Sequence, residues 1–209
     1  MTSDLSLDRA RRRLFHTGTM FDPAARYWTA IEEPTGEPIG LRDAVRWLQT
    51  ESGSPCRVPI AVIGPRDASV AEWQAAFAVG AGLADLGIVL LCGGKGGVME
   101  AACEGAASAG GISIGLLPDD EWQAANRFVT IPIATGIGVA RNAIIARAAL
   151  ALVAVGGGYG TLSEIALALQ FGRPVLTLLD APAVSGVRPM GSVEATLDAV
   201  CHLVFALPA

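Results

Sequence analysis

The stretch Ala154–Glu164 reads AVGGGYGTLSE, and the architecture of the chain can be read outward from it. It follows the apolar run AALAL and leads into the helix-like IALALQF, with four glycines, one aromatic, a threonine and a carboxylate between them. An apolar run of strand length, a glycine turn and an apolar helix make up one half of a βαβ unit. At such a junction the start of the helix presents unpaired N–H groups and the positive end of its dipole. Glycine lets the backbone come close to an anion there, and phosphate is the anion such sites most often hold.

The same rhythm runs outward in both directions. RVPIAVIG, IVLLC, ISIGLL, VTIPI, LALVAV and RPVLTLL read as strands. Helices are expected over SVAEWQAAFAVGAGLADLG, VMEAACEGAASAG, VARNAIIARAA, TLSEIALALQF and SVEATLDAVCHLVF. Ser69 and Glu72 have the spacing of a capping box. Short apolar strands alternating with helices predict an α/β, Rossmann-like fold: a mostly parallel sheet with helices on both faces. Ligands of such sheets lie at the carboxyl ends of the strands. That edge should carry GGKGG (93–97), ATGIG (134–138) and GGGYGT (156–161) together. Residues 1–56 are polar and broken by Pro23, Pro34, Gly36, Pro38 and Gly40, with a short helix at LRDAVRWLQ. They read as an N-terminal extension, and 57–209 as the α/β domain.

Composition narrows the function. Of 209 residues, 52% are hydrophobic and 17% charged, a balance that suits a buried sheet and excludes disorder. The net charge is -5 and Lys95 is the sole lysine, so no basic stripe for nucleic acid is expected. Apolar runs are interrupted by Asp85 and by glycines, and no membrane span is expected. Cys56, Cys92, Cys103 and Cys201 form no CxxC pair, which argues against a metal site. Scattered cysteines without an apolar signal core suggest reduced thiols and a cytoplasmic protein.

General phosphate-loop templates do not fit. GGKGGVME lacks the GK[ST] ending, GGGYGT has Thr161 where the last glycine of GxGxxG belongs, and GIGVAR has Arg141 there. Taken together, however, the motifs resemble the Lonely Guy (LOG) family, often labelled lysine decarboxylase-like. Its PGGxGTxxE motif corresponds to GGGYGTLSE at Gly156–Glu164, and its GGxxGLM-type loop to GGKGGVM at Gly93–Met99. Its Arg-Lys pair corresponds to Arg141-Asn142. The likeness spans roughly Val58 to Leu179. ARN and VGGGYGTLSE bring the chain nearest the branch of molybdenum-cofactor carrier proteins. Three positions depart from the LOG pattern: Gly156 stands for proline, Asn142 for lysine, and Ser163 for the first of two acids.

The resemblance implies two functions, both open at this point. One is binding of a phosphorylated nucleotide-like or pterin ligand, the molybdenum cofactor or a nucleotide, without turnover. The other is a phosphoribohydrolase releasing the free base from a nucleoside 5′-monophosphate, which needs no cofactor for catalysis. Either implies a phosphorylated small molecule and a homodimer or larger homo-oligomer as partners. A pyridoxal decarboxylase is not expected, because only Lys95 could form the Schiff base.

Glu164 is the expected catalytic carboxylate, though with Thr161 it also has the spacing of a capping box. Arg141 is expected to serve catalysis and phosphate. A cation at a helix start opposes the dipole and calls for a nearby anion; the plainer reading is a surface arginine paired with an acid. Thr161 and the amides of Gly157, Gly158 and Gly160 form the expected phosphate cradle. Gly93, Gly94, Gly96 and Gly97 are expected to touch the ligand through their backbone. Lys95, Asn142 and Arg66 complete the set, Lys95 reading equally as a solvated loop charge.

Overall fold

The computed structural model describes residues 4–31 and 35–208. Pro34 and residues 1–3 therefore lie outside the described residues. The chain divides into two compact units, Met1–Arg57 with Asp198–Ala209, and Val58–Leu197.

The first unit departs from the expectation of an extension holding a single helix. It contains a five-stranded antiparallel sheet of β1 (Leu5–Asp8), β2 (Arg13–His16), β3 (Thr19–Asp22), β4 (Tyr27–Ala30) and β5 (Glu37–Pro38), in the order β4-β3-β2-β1-β5. Strands β2 and β3 meet at Thr17-Gly18, both with positive φ (45° and 74°), the geometry of a tight hairpin turn. Leu5 and Leu7 alternate inward, as the two-residue period of a strand requires. Helix α1 (Leu41–Thr50) buries Ala44, Val45, Trp47 and Leu48. Phe205 meets Phe21 edge-on at 5.0 Å, and the Trp28 indole donates to the Phe205 carbonyl at 2.7 Å.

The second unit holds α2 (Val70–Asp85), α3 (Val98–Ser108), α4 (Arg141–Ala148) and α5 (Tyr159–Gln170) around seven strands. These are β6 (Ile60–Ile63), β7 (Leu90–Cys92), β8 (Ser113–Leu117), β9 (Ile131–Ala134), β10 (Leu152–Val155), β11 (Val175–Leu178) and β12 (Arg188–Pro189). All pair in parallel, in the order β12-β11-β10-β6-β7-β8-β9. Ala61, Ile63, Leu91, Leu152 and Ala154 form one core with Ile145 and Ala146 of α4 and Ile165 and Ala168 of α5. The alternate residues Ile60, Val62, Leu90, Cys92, Val153 and Val155 face the other way, toward α2 and α3. The unit is thus an α/β sheet covered on both faces. A last helix, α6 (Val193–Val204), begins in this unit and ends in the first.

Alanine- and glycine-rich helices have a packing reason. A Cβ on Gly80 would stand 2.0 Å from the Ala102 carbonyl oxygen, and one on Gly105 would stand 2.0 Å from that of Phe77. Helices α2 and α3 therefore touch backbone to backbone. The Ser69–Glu72 capping box is present at the start of α2, with Glu72 N donating to Ser69 Oγ and Ser69 N to Glu72 Oε2. Among the described residues no helix is long and apolar enough to cross a membrane.

Strand order fixes where a ligand can lie. From β6 the sheet grows through β7, β8 and β9 on one side and through β10, β11 and β12 on the other. The crossovers therefore diverge between β6 and β10, and a crevice opens beyond their carboxyl ends. Because all strands run parallel, GGKGG after β7, ATGIG after β9 and GGGYGT after β10 lie along that one edge.

Candidate functional site

A groove of about 450 Å³ occupies the divergence point. The turn after β6 contributes Gly64, Pro65 and Arg66, α3 contributes Met99, the approach to α4 contributes Val139, and the start of α4 contributes Arg141 and Asn142. Helix α5 contributes Gly158, Gly160, Thr161 and Glu164. Seven residues expected from the sequence thus meet here: Arg66, Arg141, Asn142, Gly158, Gly160, Thr161 and Glu164.

Arg141 and Glu164 form a buried ion pair on the groove wall. Arg141 Nη1 donates to Glu164 Oε1 at 2.8 Å, and their side chains are only 7% and 8% exposed. The anion that a cation at the start of α4 demands is therefore supplied from within the chain. Burial raises the Glu164 carboxyl to about 7, an effect that the Arg141 charge and hydrogen bond offset only in part. The same Nη1 donates to Asn142 Oδ1 at 2.6 Å. Asn142 Nδ2 donates to Ser163 Oγ at 2.9 Å, and Ser163 Oγ donates to the Gly160 carbonyl at 2.7 Å. Two of the three positions that depart from the LOG motif, Asn142 and Ser163, thus hydrogen-bond one another and tie α4 to α5. Among the described residues, Arg141 Nε is buried without a partner.

The capping box expected at Thr161 and Glu164 does not form. Helix α5 begins at Tyr159, with Gly158 as its N-cap and no side-chain cap bond. Thr161 is thus inside the first turn and buried, and Glu164 turns to Arg141 instead. Space is the notable property of the cradle glycines. Apart from the chain neighbours and the helix's own backbone, no atom of the described residues lies within 4 Å of where a Cβ would stand on Gly158 or Gly160. Gly157 is different: its φ is +137°, and a Cβ there would strike the Thr161 side chain. At Gly156, where the LOG motif has proline, φ is +58° and the N–H donates to the Leu178 carbonyl at 3.1 Å. Proline can supply neither feature.

The GGKGG loop sits behind the groove rather than on its lining. A Cβ on Gly93 would stand 2.1 Å from Arg141 Nη2, so glycine there makes room for the guanidinium. Gly94 (φ +68°) packs against Leu117, and Gly97 (φ +68°) against the Pro65 and Arg66 carbonyls. Gly96 is looser, a Cβ there standing 3.7 Å from Glu100 Oε2. Lys95 Nζ donates to Asp119 Oδ2 at 2.9 Å and to the Ala124 carbonyl at 2.8 Å, and it holds the Asp119 carboxyl below its usual range. Asn126 closes the strap by donating from its side chain to the Lys95 carbonyl and from its N–H to the Gly94 carbonyl. Lys95 therefore ties the loop to residues 119–126. The Cys92 and Cys103 sulfurs lie 3.5 Å apart beneath the loop, and among the described residues no group of three metal-ligating side chains occurs.

Sequence reasoning missed Gly64, Pro65, Met99 and Val139 as lining residues. A signal existed for the first two: they end the first strand of the α/β unit, and a Cβ on Gly64 would stand 2.5 Å from the Val155 carbonyl of the neighbouring strand end. Val139, 83% exposed, carried none.

Comparison with known proteins gives the family and the fold. Residues 57–197 match the SLOG cluster4 family. Over 139 residues the chain is 42% identical to an uncharacterized protein of Archaeoglobus fulgidus, a span covering 66% of this chain and 91% of the relative. It is similar in structure to the molybdenum cofactor binding protein of the phototrophic bacterium Rippkaea orientalis, with 34% identity and a TM-score of 0.68 over 72% of this chain and 99% of that one. It is likewise similar to the molybdenum cofactor carrier protein of Chlamydomonas reinhardtii, with 36% identity and a TM-score of 0.65 over 71% and 99% of the two chains. The family match leaves residues 1–56 outside it.

Proposed function

We propose that this chain, which belongs to the SLOG cluster4 family, is a carrier that holds a phosphorylated pterin, the molybdenum cofactor, in the groove between β6 and β10. One observation carries the reading. A buried arginine with an unpartnered Nε stands beside open glycine positions at a helix start. The α5 amides and the exposed Arg66 take the phosphate, Arg141 supplies further positive charge, and the remaining groove accommodates the ring system. Its size lies in the range of small-molecule sites, about 300–1,000 Å³. The likeness to proteins described as cofactor binders and carriers supports this choice of cargo. Nothing in this reading requires turnover, and it is consistent with a serine at position 163 in place of an acid.

Hydrolysis of a nucleoside 5′-monophosphate is the second reading, and the Glu164 carboxyl near 7 favours it. A groove carboxyl that titrates near neutrality suits acid–base chemistry at the anomeric carbon. The two readings part on one experiment. The protein is mixed with molybdenum cofactor and passed through a sizing column, and the protein peak is assayed for pterin by fluorescence after oxidation; in parallel, AMP is assayed for released adenine. Retained pterin without adenine supports the carrier. Adenine release that disappears in Glu164→Gln, without pterin retention, overturns it.

Cytoplasmic residence and a homodimer or larger assembly belong to the same reading. Ile144 of α4 and Leu162 of α5 are exposed apolar residues that a second copy would cover. Light scattering that returned 21.5 kDa would refute the assembly.

A further inference from the structure

We propose that anion binding in the groove is coupled to proton uptake by Glu164: the incoming dianion replaces the carboxylate as counter-charge to Arg141, and the site releases it as the carboxyl ionises. The inference rests on reading the groove as a phosphate site, and it adds how that site is loaded and emptied.

The geometry sets up the exchange. Arg141 is buried, so its charge needs compensation, and Glu164 Oε1 is the one anionic atom bonded to it among the described residues. Neutralising Glu164 would leave a buried cation unpaired, a costly state that an anion relieves. A second anion beside an ionised Glu164 would instead face like-charge repulsion. Proton and anion therefore favour each other's binding, and linkage makes the preference reciprocal.

Arg141 does not swing free when Glu164 lets go. Asn142 Oδ1 still accepts from Nη1, and Asn142 is anchored through Ser163 Oγ to the Gly160 carbonyl. Gly93 packs under the guanidinium. The unpartnered Nε is a further donor for the anion. Asn142 and Ser163 are thus positioning residues for the arginine.

The other charged groups along this edge are Arg66 and Asp67 after β6, Glu72 at the start of α2, Glu100 in the first turn of α3, Lys95 and Asp119, which pair with each other, Asp120 and Glu121 after β8, and Asp180 after β11. Glu72 is engaged by the Ser69 N–H. The Cys92 thiol beneath the loop is pushed up by its bond to Cys103 and by burial, so it stays protonated. Glu164, raised to about 7 by burial, is the group positioned to gain the proton near neutral pH.

The test uses inorganic sulfate, which stays a dianion over the range where a phosphate monoester titrates, near about pH 6. Sulfate affinity is measured by calorimetry from about pH 5.5 to 9, in buffers of differing ionisation enthalpy so that protons taken up are counted. Wild-type affinity should be level below about pH 6.5 and should then fall toward tenfold per unit above about pH 7, with close to one proton taken up per sulfate. Glu164→Gln should bind sulfate with no such slope. A flat wild-type profile, a slope that persists in Glu164→Gln, or no sulfate binding at about pH 6 overturns the proposal. Should Glu164→Gln fail to fold, the wild-type proton count above about pH 7.5 decides, and a value near zero there refutes the coupling. Cofactor retention with flat sulfate binding removes this inference and leaves the carrier reading standing. Proton-linked sulfate binding without cofactor retention does the reverse.

Discussion

Folding stability without any ligand should fall as pH rises from about 4.5 to about 7, and Glu164→Gln should abolish that fall. Burial moves the Glu164 carboxyl from 4.5 to about 7 despite Arg141 at 2.8 Å. In the unfolded chain this proton leaves near the ordinary value, whereas the folded chain keeps it until about pH 7. Between those values the folded state binds one proton more, so raising pH favours unfolding. Below about 4.5 both states hold the proton and above about 7 both have lost it, so the curve flattens at each end. Tenfold in proton affinity is worth about 1.4 kcal/mol, which makes the full drop roughly 3 kcal/mol. Asp8 and Asp119, whose carboxyls are held down by Arg11 and Lys95, act with the opposite sign at lower pH and remain in the variant. Urea unfolding at a series of pH values, for wild type and Glu164→Gln, isolates the Glu164 contribution as the difference between the curves. Glutamine can still accept from Arg141, so the two proteins should be close in stability at about pH 4 and diverge as pH rises, the variant becoming the more stable. Parallel curves would refute the reasoning. Wild type gaining on the variant with pH would show that the ion pair outweighs its burial.

Arg141→Ala removes a charge-assisted contact, and binding of a phosphorylated ligand should weaken by roughly tenfold to a hundredfold in calorimetry. Gly156→Pro restores the LOG motif but demands a φ the backbone lacks and deletes the bond to Leu178; denaturant unfolding should show a loss of more than about 1 kcal/mol. Gly80→Leu drives a side chain into the Ala102 carbonyl and should cost about 1–3 kcal/mol or more by the same measurement, because α2 and α3 must part.

Local sequence was enough to read the second unit, apart from the two-residue strand β12. Its strands are continuous apolar runs, as both-face burial requires, and its turns are marked by glycines, so strands, helices and the ligand edge are readable from neighbouring residues alone. The Ser69–Glu72 cap was legible for the same reason, being a contact three residues long. In the first unit the helix at LRDAVRWLQ was legible and the five strands were not. Four-residue strands offer two side chains per face, and the Thr17-Gly18 turn lacks the asparagine or aspartate that usually announces such hairpins. The start of α5 was misplaced because glycines at 158 and 160 hide a helix that is capped by the first and already includes the second. The electrostatic state of the site, by contrast, depends on tertiary packing. Arg141 and Glu164 stand on different helices, and their pairing depends on how α4 packs against α5 over the sheet. Burial depth sets whether that carboxyl is charged, and burial belongs to the packed assembly rather than to any stretch of chain. Lys95 shows the same limit. Its loop position suggested a ligand contact, while its ammonium is engaged by Asp119 and Ala124, partners that the turn after β8 brings to it.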